Sequence, residues 1–213
     1  MNLRPCSTYS LIVRDPKTGW LGSAVASKYL AVGGAVSHSQ PGVGIVHAQF
    51  WCSHDAANRI LAAIAAGTPP PAALNQAIAA DPLPHKRQLL VMDMQGCAAV
   101  HTGADATPEH HLTMQTNLVA AGNTLASKDV VEAMVRSIQA TGGQPLILRL
   151  ILALEAAEAL GGDHRGKQSA AVRVLQPMDR PWTDDEILDF RADDHPNPIA
   201  ELRRLYELSP KGK

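Results

Sequence analysis

"TYSLIVRDPKTGWLGSAVAS", residues 8–27, decides how this chain folds. Thr8 to Arg14 is rich in branched and aromatic residues, as a strand requires, and Asp15-Pro16-Lys17-Thr18-Gly19 has the composition of a turn. Trp20 to Ser27 is a second run, whose small residues permit close packing on both faces. Runs joined this tightly pair antiparallel, because a parallel crossover needs about a dozen residues or more. Ala31 to Ser37 and Val43 to Phe50, flanking Gln40-Pro41-Gly42, extend the pattern, so residues 8–50 predict a four-stranded antiparallel meander.

Past residue 50 the apolar period lengthens to that of a helix. Ser53 caps a helix carrying Ala57, Ile60, Leu61 and Ile64, ended by Gly67, and Pro69-Pro70-Pro71 opens a second through about Ala80. Arg87 to Asp93 and Cys97 to His101 form a hairpin around Gln95-Gly96. Ser127 begins a helix with Val131, Met134, Val135 and Ile138 on one face. Pro145 begins a longer one, with Leu146, Leu150 and Leu154, that stops at Gly161-Gly162. Ser169 to Leu175 is again β, and Pro198 to Leu208 is a short final helix. Residues 177–197 are polar and Pro-rich and read as a surface arm. Strands in blocks with helices between them predict one α+β domain over residues 8–213, its antiparallel sheets sandwiched between helix layers.

Composition excludes several classes of function. Net charge is −1 and the basic residues are scattered, which leaves no electrostatic footprint for nucleic acid. No apolar run approaches the roughly 18 residues that a bilayer span needs, and the N-terminus lacks the apolar core of a signal peptide. Cys6, Cys52 and Cys97 have neither disulfide nor zinc spacing, which suits a reducing compartment. We therefore expect a cytoplasmic protein that meets neither nucleic acid nor membrane. An Ala-rich surface on such a sandwich suggests a homodimer or higher homo-oligomer.

Seven stretches carry a resemblance to a known family: "TYSLIVRDPKTGWLGSAVASKYLAVGGAV", "PGVGIVHAQ", "HKRQLLVMDMQG", "AAVHTG", "AAGNTLASKDVVEAM", "GGDHRGKQSAAVRVL" and "DDHPNPIAELRRLYEL". Together they resemble the bacterial family catalogued as domain of unknown function 1028, from Thr8 to about Leu208. The resemblance implies an αββα sandwich of the N-terminal-nucleophile (Ntn) hydrolase type. In such enzymes a Thr, Ser or Cys at the mature N-terminus attacks an amide while its own α-amine, with a pKa of about 8, takes the proton. The implied activity is hydrolysis of a small-molecule amide with no cofactor. The alternatives are a non-catalytic ligand-binding protein on the same fold and a hydrolase using the Cys6 thiol.

Thr8 matches the nucleophile position. Residues 1–7 precede it, so either this leader is removed, or the true start lies later than Met1, or the usual chemistry does not operate; Cys6 and Ser7 are the alternative nucleophiles. Lys28 follows the second strand, where an ammonium could lower the nucleophile's proton affinity, and Asn123 could donate to an oxyanion. Gln49 is a weaker donor candidate. His85, Arg87 and Gln88 stand at a strand start, where the Arg could clamp a substrate carboxylate or merely form a structural ion pair. Asp163, Arg165, Gln168 and Ser169 are the densest polar group and are expected to line the cavity of Thr8. Asp189, Asp193, Asp194 and His195 are of the right chemical class for a metal, but their spacing matches no closed site, and no metal is expected.

Overall fold

The protein's computed structural model describes residues 5–177 and 188–210. Strand β1 (Thr8–Arg14) starts at Thr8 and pairs with β2 (Leu21–Ser27), setting Arg14 opposite Leu21 and Thr8 opposite Ser27. These two lie at the centre of a six-stranded antiparallel sheet. Beside β2 come β9 (Ser169–Leu175) and β10 (Leu188–Ala192), and beside β1 come β8 (Leu118–Gly122) and β7 (His111–Gln115). A second antiparallel sheet orders β3 (Ser37–Gln40), β4 (Gly44–Phe50), β5 (Arg87–Asp93) and β6 (Ala98–Thr102).

Side-chain alternation along each strand divides the core into three apolar layers. Leu11 and Val13 of β1 face outward, where α4 (Asp129–Ala140), α5 (Leu146–Ala159) and α6 (Pro198–Leu208) bring Met134, Leu150, Leu154 and Leu202. Val46, Leu89 and Val91 face outward from the other sheet onto α2 (His54–Ala65) and α3 (Pro70–Ala80). Ile12, Leu21, Ile45, Leu90, Met92 and Val119 fill the space between the sheets. Burying each such side chain contributes about 1.5–3 kcal/mol over leaving it exposed, so these layers hold the fold together. The architecture is an αββα sandwich. Among the described residues no helix is long and apolar enough to cross a membrane.

Three expectations need correction. Residues 8–50 do not form one meander: β1 and β2 belong to one sheet, β3 and β4 to the other. Between them Val32–Val36 is a short helix, α1, instead of the strand expected over 31–37. Its cause is tertiary. Ala31 turns the chain with a left-handed φ of 52°, the Ser169 hydroxyl accepts from the Val32 N–H at 2.9 Å, and a Cβ on Gly33 would stand 2.6 Å from that of Ala171. The hairpin of β7 and β8 is new to the reading of the chain. So is β10, which lies in the stretch 177–197 read as a surface arm, where residues 178–187 fall outside the described residues.

Candidate functional site

Towards the Thr8 end of β1 the space between the sheets turns polar. Ser10, Gln49, Gln88 and Asn123 project into it from β1, β4, β5 and the residue after β8, and all four are fully buried. The Ser10 hydroxyl donates to Gln49 Oε1 at 2.8 Å, and Gln88 Oε1 accepts from both Gln49 Nε2 at 2.7 Å and Asn123 Nδ2 at 2.9 Å. Gln88 Nε2 in turn donates to Thr102 Oγ1 at 3.2 Å. Such a network rigidifies a core only when its members are satisfied, and Asn123 Oδ1 is left buried with no partner. The Asn123 backbone N–H donates to the Thr8 carbonyl at 3.0 Å, tying this band to the start of β1.

Thr8 is fully enclosed. Its hydroxyl donates to the Cys6 carbonyl at 2.8 Å, and the Cys6 sulfur lies 3.7 Å away. Before it, Cys6 is tied to the end of β4 by an isolated antiparallel bridge to Phe50. Cys6 N–H donates to the Phe50 carbonyl at 2.6 Å, and Phe50 N–H donates back to the Cys6 carbonyl at 3.1 Å. Phe50 has a left-handed φ of 70°, a strained conformation for an aromatic residue, and Cys52 two residues on packs with the cluster around Cys6.

The Ser7 carbonyl, the one bonded to the Thr8 nitrogen, receives two donors. The Ser27 hydroxyl makes a short hydrogen bond to it, and Arg165 Nη2 donates at 3.2 Å. The Ser7 hydroxyl accepts from Thr124 Oγ1 at 2.8 Å. Arg165 is held in place by Asp163, whose fully buried carboxylate accepts from Arg165 Nε at 3.0 Å and Nη2 at 2.6 Å. The same carboxylate accepts the backbone N–H of Arg165 at 3.0 Å and of Lys28 at 3.1 Å. Left-handed φ values at Gly161, Gly162 and Gly166 fold this loop back on the sheet end. The Asp163 hydrogen bond raises the Arg165 pKa above its ordinary value, so a full positive charge stands beside the Ser7 carbonyl. Donors converging on one carbonyl oxygen make its carbon electrophilic and stabilise the oxyanion formed on attack.

Other expected site residues lie elsewhere. Lys28 turns its ammonium outward to the Lys167 carbonyl at 3.3 Å, on an open groove shared with Gln168, Asp194 and His195. Gln168 Nε2 donates to Asp194 at 3.1 Å, and Ser169 supports α1 and the Tyr29 carbonyl. Of the densest polar group, then, Asp163 and Arg165 meet the start of β1 while Gln168 and Ser169 do not. His85 is exposed, 3.8 Å from Asp105. Arg87 forms the ion pair that was its plainer reading: Nε and Nη2 grip Asp81 at 2.8 and 3.1 Å, and Nη1 holds the Trp51 carbonyl at 2.8 Å. It braces the chain beyond Phe50 and has no free fork for a substrate. A hydrogen bond with Cys52, then burial, push the Cys6 thiol far above its ordinary range, and a protonated thiol is a poor nucleophile. Ser27, Thr124 and Phe50 were not anticipated, although counting across the 15–19 turn from Arg14 and Leu21 sets Ser27 opposite Thr8. Among the described residues no group of three His, Cys, Asp or Glu side chains is placed to hold a metal.

Two residues from Gln49 on the same face of β4, His47 is fully buried with neither ring nitrogen partnered. Burial, and then His38, push its pKa down to about 3, while burial and His54 push His38 down to about 4. An unfolded His accepts a proton near pH 6.5, so the folded state refuses a proton that the unfolded chain takes. Stability is therefore whole above about pH 6.5 and falls as pH drops towards 3, by up to about 1.4 kcal/mol per pH unit for each such His. Urea unfolding of wild type and His47→Gln at pH 7.5, 6 and 5 checks this. The variant should lose stability on acidification less steeply, by about 1 kcal/mol per pH unit. Identical slopes would acquit His47.

The sequence pattern described as "Family of unknown function (DUF1028)" matches residues 8–202. Among solved structures, the chain is similar to the crystal structure of protein SPO2555 from Silicibacter pomeroyi. The two share 32% identity at a TM-score of 0.84, over 97% of this chain and 92% of that one. A far looser likeness, at 16% identity and a TM-score of 0.44, covers 93% of this chain and 92% of Anbu (ancestral beta-subunit) from Yersinia bercovieri. No curated protein matches the chain.

Proposed function

The chain belongs to the family of unknown function DUF1028, and on that premise we propose that it is an amide hydrolase of the N-terminal-nucleophile type, present here as its precursor. The observation that carries the reading is the Ser7 carbonyl, flanked by the Ser27 hydroxyl and the Arg165 guanidinium and bonded to a buried Thr8. Thr8 Oγ1 rotates away from the Cys6 carbonyl and attacks the Ser7 carbonyl carbon. The two donors hold the oxyanion, the Ser7–Thr8 C–N bond breaks, and the hydroxyl proton passes to the departing Thr8 nitrogen. Water then hydrolyses the ester left on Thr8 Oγ1, releasing residues 1–7 with a carboxylate end. The new α-amine of Thr8, with a pKa of about 8, becomes the base for attack on an external amide. That the family match begins at residue 8 supports the same boundary.

The intact mass of the purified protein, followed over days, tests this reading. Loss of residues 1–7 together with turnover of an amide is expected. Loss of residues 1–5 would hand the role to Cys6. A full-length chain that turns over no amide would favour a ligand-binding protein on the same fold.

A further inference from the structure

The leader does more than cover Thr8. Because Thr8 attacks the Ser7 carbonyl, residues up to Ser7 are the acyl half of an internal substrate. An external amide attacked by the same hydroxyl, with the same two donors on its oxygen, must lay its own acyl half along the same track. We infer that the substrate is a peptide or peptidyl amide, with a small hydroxyl-bearing residue at the scissile carbonyl and a small apolar residue before it. This rests on the amide-hydrolase reading above and specifies the substrate class it left open.

Three features of the track define that class. The first is its demand for a peptide backbone. Cys6 donates its N–H to the Phe50 carbonyl at 2.6 Å and accepts the Phe50 N–H at 3.1 Å, an added strand of one residue on the end of β4. A simple acyl amide has no second amide unit at that distance and forfeits both bonds, whereas a peptide supplies them by strand addition. The second is the site around Ser7. Its side chain is 2% exposed and its hydroxyl accepts from Thr124 Oγ1, so a bulky residue finds no room and an apolar one leaves Thr124 without its acceptor. The third is the enclosure of Cys6, 1% exposed among Val25, Val32, Val36 and Ala171. Pro5, in contrast, is only half-buried, so the track opens outward and admits longer acyl chains.

The reaction is acyl transfer. The Thr8 Oγ1–carbon bond forms as the carbon–nitrogen bond breaks, the proton travels through the Thr8 α-amine to the leaving amine, and water releases the acid.

The test uses protein that has lost residues 1–7 and five arylamides: acetyl-Pro-Ala-Ser, acetyl-Pro-Ala-Ala, acetyl-Pro-Ala-Phe, acetyl-Pro-(N-methyl)Ala-Ser and acetyl-Ser. The first should exceed each of the others at least tenfold in kcat/KM, the N-methyl compound failing because it lacks the donor to Phe50. Thr124→Val should erase most of the preference for Ser over Ala at the scissile position. In the full chain, Cys6→Phe should release the leader at least tenfold more slowly than wild type. Equal kcat/KM for the N-methyl and parent compounds, or for acetyl-Ser and the longer peptide, would overturn the inference while the hydrolase reading stood. If no leader is released and no amide is cleaved, both fall together.

Discussion

Thr8→Ala is expected to leave residues 1–7 attached and to abolish amide turnover, by a factor of about 10³ or more, in a protein that remains folded. The size follows from the chemistry. With no hydroxyl, neither the ester with Ser7 nor that with an external substrate can form, and the Ser27 and Arg165 donors have no oxyanion to hold. The fold should feel little, because the Thr8 hydroxyl makes one short hydrogen bond, to the Cys6 carbonyl, and a long one with the Cys6 sulfur, at a strand end; their loss should cost about 1 kcal/mol. Thr8→Ser keeps the hydroxyl and should keep both reactions at reduced rate. The paired control is Cys6→Ala, which the thiol reading makes inactive and the Thr8 reading leaves competent. Intact mass, amide turnover and thermal midpoint measured on all three variants separate the cases. An active Thr8→Ala protein would end the case for this nucleophile.

How much of this was written visibly in the chain depends on where each segment takes its instructions. β1, β9 and α6 were legible to the residue, because each has a consistent apolar period between clear turn or Pro signals. Val32–Val36 was not, because small and β-branched residues read as strand. What makes it helical is the docking of Gly33 on Ala171 and the Ser169 hydroxyl beneath Val32, both more than 130 residues away in sequence. β7 and β8 escaped for opposite reasons. β7 is an edge strand with exposed positions, and β8 is a short Ala-rich run buried on both faces, so neither shows the alternation of a half-buried strand. The site divides in the same way. Thr8, Asn123, Asp163 and Arg165 stood out as chemical types in recognisable stretches. Ser27 and Thr124 are ordinary hydroxyls whose meaning comes only from the pairing that sets them around Ser7. Lys28 was named for its place after the second strand in a stretch that resembles the family, and the strand end aims its backbone N–H at Asp163 while its ammonium leaves the site.

On the proposed reading the charge beside the reacting carbonyl is that of Arg165, 3.2 Å from the Ser7 oxygen, and its removal should have the second-largest effect. Arg165→Met keeps the length of the side chain but withdraws the donor from the Ser7 carbonyl, and leader release should slow by about 10²-fold, the usual consequence of losing one oxyanion donor. Arg165→Lys should recover part of the rate, since an ammonium can reach the oxygen but cannot also hold Asp163 with a planar fork. Asp163→Asn probes the support from beneath. Its amide can no longer accept two guanidinium bonds and two backbone N–H groups as a carboxylate does, so Arg165 should lose its aim and Lys28 its anchor. The Asn variant should therefore lose both rate and stability, because a charge partner and several hydrogen bonds go together at a buried position. Arg165→Met should lose mainly rate, for its side chain is part-exposed while that of Asp163 is fully buried. The discriminating measurement pairs leader release by mass with urea unfolding for the three variants. If Arg165→Met released residues 1–7 at the wild-type rate, the guanidinium would be a brace for the loop and not a donor in the reaction, and Ser27 would have to hold the oxyanion without it.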